Sequence, residues 1–143
     1  MSKKILSAAA LVIVANSVSA EIHNRPEDAG MPWVINWVSE NGECMSVISL
    51  GLYDNIRLPL KFEVDEEFYS KEATRNRVNK LSNVINSTLR YDDFTTEEKK
   101  YYKQVTYNIG METGVVVGVK VSMGQVKDVD TMYRNCLKTF DIE

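Results

Sequence analysis

The side chains that most often do chemistry are scarce in this chain of 143 residues, which holds one histidine, His23, and two cysteines, Cys44 and Cys136. His23 sits near the N-terminus beside Pro26 and several charged residues, in a stretch (21–30) that reads as a flexible lead-in. No internal histidine is left to act as the base of a serine or cysteine triad, and no H-E-x-x-H pair is present to hold zinc. The cysteines lie far apart and form no C-x-x-C redox motif. Carboxylates do cluster, at Asp65 to Glu67, at Asp92-Asp93 and at Glu97-Glu98. Each cluster falls at an expected helix start, where acidic side chains oppose the positive end of the helix dipole. G-x-S-x-G and phosphate-loop patterns are absent, and Gly110, Gly114 and Gly118 are spaced wrongly for either kind of glycine-rich nucleotide loop. The expectation is a non-catalytic protein without cofactor or metal. A small hydrolase is kept as an alternative, since only the fold could bring two of these carboxylates together as acid and nucleophile.

Where the chain works is written at its start. Lys3 and Lys4 precede an apolar run from Ile5 to Val14, and Val18-Ser19-Ala20 offers small residues for cleavage before Glu21. This reads as a secretory signal peptide over 1–20, with an apolar region too short to span a bilayer. The mature chain is therefore expected in the periplasm or secreted, where an even pair of cysteines forms a disulfide. With two cysteines only Cys44–Cys136 is available, closing a loop of about 93 residues for a chain-entropy gain of about 4–5 kcal/mol. The bond would staple the first helix of the domain to the last. The formal net charge is −3. The short Lys99-Lys100-Lys103 group follows Glu97 and Glu98 as a solvated helix face, which argues against nucleic acid as a partner.

The elements that must position any site read as helices, in one domain over 31–143. Pro32 suits a first helical turn, with Trp33 and Trp37 one turn apart. Asn41-Gly42 reads as a break, with Asn41 capping a second helix through Val47, Leu52 and Ile56 that ends at Leu58-Pro59-Leu60. Asp65-Glu66-Glu67 then starts a long amphipathic helix to about Arg90, with Thr74, Val78, Leu81, Ile85 and Thr88 on one stripe. The Asn86-Ser87-Thr88 glycosylation pattern falls inside that helix and is read as chance. Thr95-Thr96-Glu97-Glu98 is a capping box opening a central helix through Tyr102, Val105 and Ile109. Beyond Gly110 two readings compete. The helix runs on to about Met123, or it stops and 113–123 becomes a short strand or hairpin, as its β-branched valines favour. The helical reading is preferred. Gly124 then opens a loop, and Asp128 caps a last helix whose Val129, Met132, Tyr133, Cys136, Leu137 and Phe140 form a continuous stripe. The predicted fold is all-α, four to five helices with one disulfide.

On that fold two features could meet a partner. Gly110, Gly114 and Gly118 would line a groove on the central helix, expected to be filled by a neighbouring helix of the same domain, with Gly114 at the tightest contact. The alternative is an exposed membrane-docking, pore-related or self-association face of the small-xxx-small kind. Asn108, Glu112 and Lys120 interrupt that segment too often for a membrane span. Trp33 and Trp37 are expected as core cover, and as partner anchors only if exposed. The layout of export signal, small helical domain and one long-range disulfide resembles that of small bacterial periplasmic helical proteins, acid-stress chaperones and effector-immunity or enzyme-inhibitor proteins among them. The resemblance is one of layout and carries over no site residue. It implies a non-catalytic binding protein of the inhibitor, immunity or chaperone kind, with another protein as partner.

Overall fold

The computed structural model describes residues 23–143, and the export-signal reading of residues 1–20 lies outside the described residues. Helices run at Met31–Leu50 (α1), Asp54–Glu63 (α2), Lys71–Leu89 (α3), Thr96–Ser122 (α4) and Val126–Thr139 (α5), with a 3-10 turn at Tyr91–Asp93. No strand occurs among the described residues. The capping box forms as expected: the Thr95 hydroxyl accepts the Glu98 N–H at 3.1 Å, and the Glu98 carboxylate accepts the Thr95 N–H at 2.9 Å.

The competition over 113–123 is resolved as helix. Thr113 and Val117 are buried on the side of α4 that meets α1 and α5, and that packing outweighs the weak helix propensity of valine and glycine. Gly124, at φ 77°, then stops the helix. Its N–H reaches Val121 O at 3.0 Å and the Gln125 N–H reaches Lys120 O at 2.8 Å, the paired bonds of a left-handed glycine cap.

The first half of the chain departs from the expected boundaries. Asn41-Gly42 does not break α1; the Asn41 amide donates to the Trp37 carbonyl at 3.0 Å, and the helix continues to Leu50. Gly42 is there for close approach, because a Cβ on it would lie 2.8 Å from Ile109 Cδ1 of α4. The break falls instead at Gly51, where a Cβ would meet the Tyr133 ring at 2.8 Å. Pro59 lies inside α2 and does not end a helix. It withholds one N–H, and the burial of Ile56 and Leu60 on the same helix offsets that loss. Asp65 caps only a turn, accepting the Phe68 N–H at 3.0 Å. Ser70 is the cap of α3, accepting the Ala73 N–H at 3.1 Å, so this helix starts later than its acidic run suggests.

The lead-in is docked from Arg25 onward. Its backbone N–H donates to Thr88 O at 2.8 Å and its Nε to Leu89 O at 2.7 Å, satisfying carbonyls at the end of α3. Arg90, left-handed at φ 52°, returns hydrogen bonds to the carbonyls of Arg25 and Pro26.

One apolar core joins α1 (Val34, Trp37, Val38, Ile48), α3 (Leu81, Leu89), α4 (Val117) and α5 (Val129, Tyr133, Leu137, Phe140). Cys44 and Cys136 are bonded with their Cα atoms 5.0 Å apart, tying α1 to α5. Beside the core, Arg77 is buried at 4% exposure and donates to Phe68 O at 2.7 Å. Its Nε is 3.2 Å from the Glu143 carboxylate, within ion-pair range but without the alignment of a hydrogen bond. Arg77 and Arg134 each lie 3.8 Å from the Phe68 ring. Tyr69 donates to Asp130, which also accepts from Arg134 at 2.9 Å.

Burial raises the hydroxyl pKa of Tyr69, Tyr102 and Tyr133 above the ordinary 10.0, with the Asp130 carboxylate adding to the effect at Tyr69. Tyr102 is pushed up to about 12, by burial first and by Tyr91 second. The folded protein thus holds this proton more tightly than the unfolded chain. The resulting stability is complete below pH 10.0 and is lost as pH rises toward about 12. Urea titrations across this window should show falling stability in the wild type and a shallower fall in Tyr102→Phe. An equal fall in both would exclude Tyr102 as a contributor.

Candidate functional site

Of the residues singled out for chemistry, the structure joins Cys44 and Cys136, as the disulfide. His23 is exposed. Asp65 caps its turn, Asp92 exchanges hydrogen bonds with Asn86 at 3.2 Å, Asp93 pairs with Arg90 at 3.9 Å and Glu98 completes the capping box. These carboxylates act on backbone and neighbouring side chains near helix ends, as their positions suggested. Among the described residues no group of three or more His, Cys, Asp or Glu side chains is placed to hold a metal ion.

The tryptophans part company. Trp37, 6% exposed, stands edge-on to Phe140 with ring centroids 6.3 Å apart, so its ring is core and not a surface anchor. Trp33 is half-buried and packs against the same core.

The glycine ladder overturns its expected role. A Cβ on Gly114 or Gly118 would meet no atom within 4 Å, and one on Gly110 would meet only the Ser46 hydroxyl at 3.7 Å. Among the described residues no neighbouring helix comes within reach of Gly114 or Gly118, and α1 reaches Gly110 only through Ser46, leaving an open trough. The reason is rotational: α4 turns Tyr102, Thr113 and Val117 inward, and at 3.6 residues per turn the glycine row falls beside that face and not on it. The row next to the glycines is Tyr107, Met111, Val115, Val119 and Met123, all spaced by four and all between 50% and 67% exposed. Five large apolar side chains thus stand exposed along one every-fourth-residue row that winds around α4.

At Gly110 the trough opens into a groove between α1, α3 and α4 with a volume of about 310 Å³. Met45, Leu50, Leu81, Ile85, Tyr107 and Met111 supply apolar walls, Tyr53 stands at the lining, and Ser46, Ser49 and Thr106 add hydroxyls. Ser49 and Thr106 already donate to backbone carbonyls of their own helices, at 2.9 Å to Met45 O and at 2.9 Å to Tyr102 O. Such a lining suits an apolar side chain more than a charged ligand. A second hollow, between the first turns of α1 and α4, is lined by Met31, Pro32, Ile35, Tyr101, Glu97 and Glu98.

Of the residues marked in advance, the groove takes in Gly110 alone. Leu81 and Ile85 belong to the amphipathic stripe of α3, and Met45, Tyr107 and Met111 carry no local mark, because each is an ordinary helix residue until three helices converge on it. The available signal was the four-residue repeat from Tyr107 to Met123. No helix among the described residues is long and apolar enough to cross a membrane. No protein-family model, curated protein or solved structure matches the chain.

Proposed function

We propose that the chain is a small exported, non-catalytic protein-binding protein of the inhibitor, immunity or chaperone kind, and that it takes an apolar side chain of its partner into the groove at Gly110. The observation that supports this reading is the open groove bounded by Met45, Leu81, Ile85 and Met111. Export is part of the proposal. N-terminal sequencing of the fractionated protein should find it in the periplasm or medium beginning at Glu21, and a full-length cytoplasmic form would end that part.

The groove is tested by a photo-cross-linking residue at position 85, on its α3 wall, in the mature protein mixed with periplasmic extract. A defined stoichiometric adduct is expected for an inhibitor or immunity protein, and many client adducts for a chaperone. Gly110→Leu should extend into the groove, since its Cβ makes only an ordinary contact, 3.7 Å from the Ser46 hydroxyl. It should cost the adduct at least about tenfold in yield, the scale of one well-buried apolar anchor, with a melting temperature no lower than that of the wild type. Persistence of the adduct in folded Gly110→Leu would remove the groove from the binding site.

A further inference from the structure

We propose that the outer face of α2, carried by Leu58 and Phe62, docks on a basic protein surface whose lysines and arginines surround an apolar recess. On this ten-residue helix Ile56, Arg57 and Leu60 are buried and, at about 100° per residue, share one side. Leu58 and Phe62 lie one turn apart on the opposite side, only about 40° from each other, so a single surface meets both. Phe62 is 77% exposed, the most exposed large apolar side chain among the described residues. The charge around it decides what can approach. From Lys61 to Glu67 the chain carries Glu63, Asp65, Glu66 and Glu67 against one lysine, a formal −3 that equals the net charge of the whole chain. Every residue from Phe62 to Glu67 is exposed. Lys61 pairs with Glu66 at 3.8 Å and Asp65 accepts the Phe68 N–H at 3.0 Å. Glu63 and Glu67 form no ion pair among the described residues. The last carbonyls of α2, those of Lys61, Phe62 and Glu63, accept no backbone N–H, so the negative end of the helix dipole reinforces these carboxylates. An acidic protein or an anionic membrane would have to reach Phe62 against that charge, whereas a cationic surface is steered toward it. The ring supplies what an acidic rim alone lacks, a rigid aromatic anchor that also accepts a guanidinium on its face. This face shares no residue with the Gly110 groove.

The test places a photo-cross-linking residue at position 58, in the cells that naturally make the protein, and maps the adduct by mass spectrometry. Phe62 and the carboxylates stay in place. The expected adduct joins one protein, at a peptide set among lysines and arginines on its surface. With that protein purified, Phe62→Ser should weaken binding at least about tenfold, as loss of an aromatic anchor does. Glu63→Gln combined with Glu67→Gln should slow association about tenfold at low salt, a difference that about 0.5 M NaCl erases. All three positions are exposed, so the melting temperatures should match the wild type. Gly110→Leu, measured on the same pair, separates the two sites: binding that survives it and fails in Phe62→Ser keeps this face and removes the groove. Binding that survives Phe62→Ser overturns the proposal. So does the absence of a protein adduct from position 58, an adduct on an acidic or uncharged surface, or an association rate that ignores both salt and the loss of the two carboxylates. A phospholipid adduct would overturn it as well, by giving the face to a membrane.

Discussion

Cys44→Ser and Cys136→Ser are each expected to lower the unfolding free energy by about 2–5 kcal/mol, and the double variant by little more than either one. The bond joins residues 92 apart in sequence, so in the unfolded chain it closes most of the described residues into one loop. The ordered protein already holds the two Cα atoms 5.0 Å apart, and the cross-link therefore restricts mainly the unfolded ensemble. Because α1 and α5 both contribute to the core, loosening one from the other also exposes the contacts around Trp37 and Phe140. Cys136 is the more buried of the pair, and Cys136→Ala distinguishes loss of the bond from the cost of a buried hydroxyl. Urea unfolding with and without reductant is the measurement. Strongly additive losses in the two single variants would mean that the thiols act separately.

The second large effect is a contrast between two glycines. Gly42→Leu should destabilise by about 1–3 kcal/mol or more, the usual range for overpacking. Even a Cβ at Gly42 would sit 2.8 Å from Ile109 Cδ1 and 3.3 Å from Ile109 Cγ2, and the leucine branch has α4 in its path. Gly114→Leu should do the reverse. Its side chain enters open space, and replacing glycine by leucine in a helix gains up to roughly 1 kcal/mol of intrinsic propensity. Melting temperatures of the two variants should therefore move in opposite directions. A Gly114→Leu protein that melts well below the wild type would place a packing partner in the trough and contradict the open face described above.

These two glycines also show where one-dimensional reading reached its limit. Both follow or sit among helix-forming residues, and Asn41-Gly42 is the stronger breaker by local statistics. Whether a glycine breaks a helix, admits a neighbour or faces solvent depends on what stands opposite it. For Gly42 that is Ile109, 67 positions away in the sequence. Pro59 is similar: the local rule ends the helix, and the burial of Ile56 and Leu60 carries it on. The start of α3 slipped for a different reason, because two capping residues, Asp65 and Ser70, stand five positions apart and local preference cannot rank them. Ser70 takes the role, and the buried side chain of Tyr69, donating to Asp130 of α5, lies just before it.

By itself the sequence determined what depends on periodicity and local chemistry. The all-helical class follows from apolar stripes such as Thr74 to Thr88 and Val129 to Phe140, and the α4 start from the reciprocal Thr95–Glu98 cap. The disulfide pairing follows from there being two cysteines. The tertiary structure alone decided which side of α4 is buried beyond Gly110, where valines and glycines alternate around the helix and no local pattern ranks one side above another. It also decided the docking of Arg25 on the end of α3 and the meeting of Met45, Leu81 and Ile85 around Gly110. Each is a relation between residues tens of positions apart, set by how whole faces fill space against one another, and no local preference encodes it.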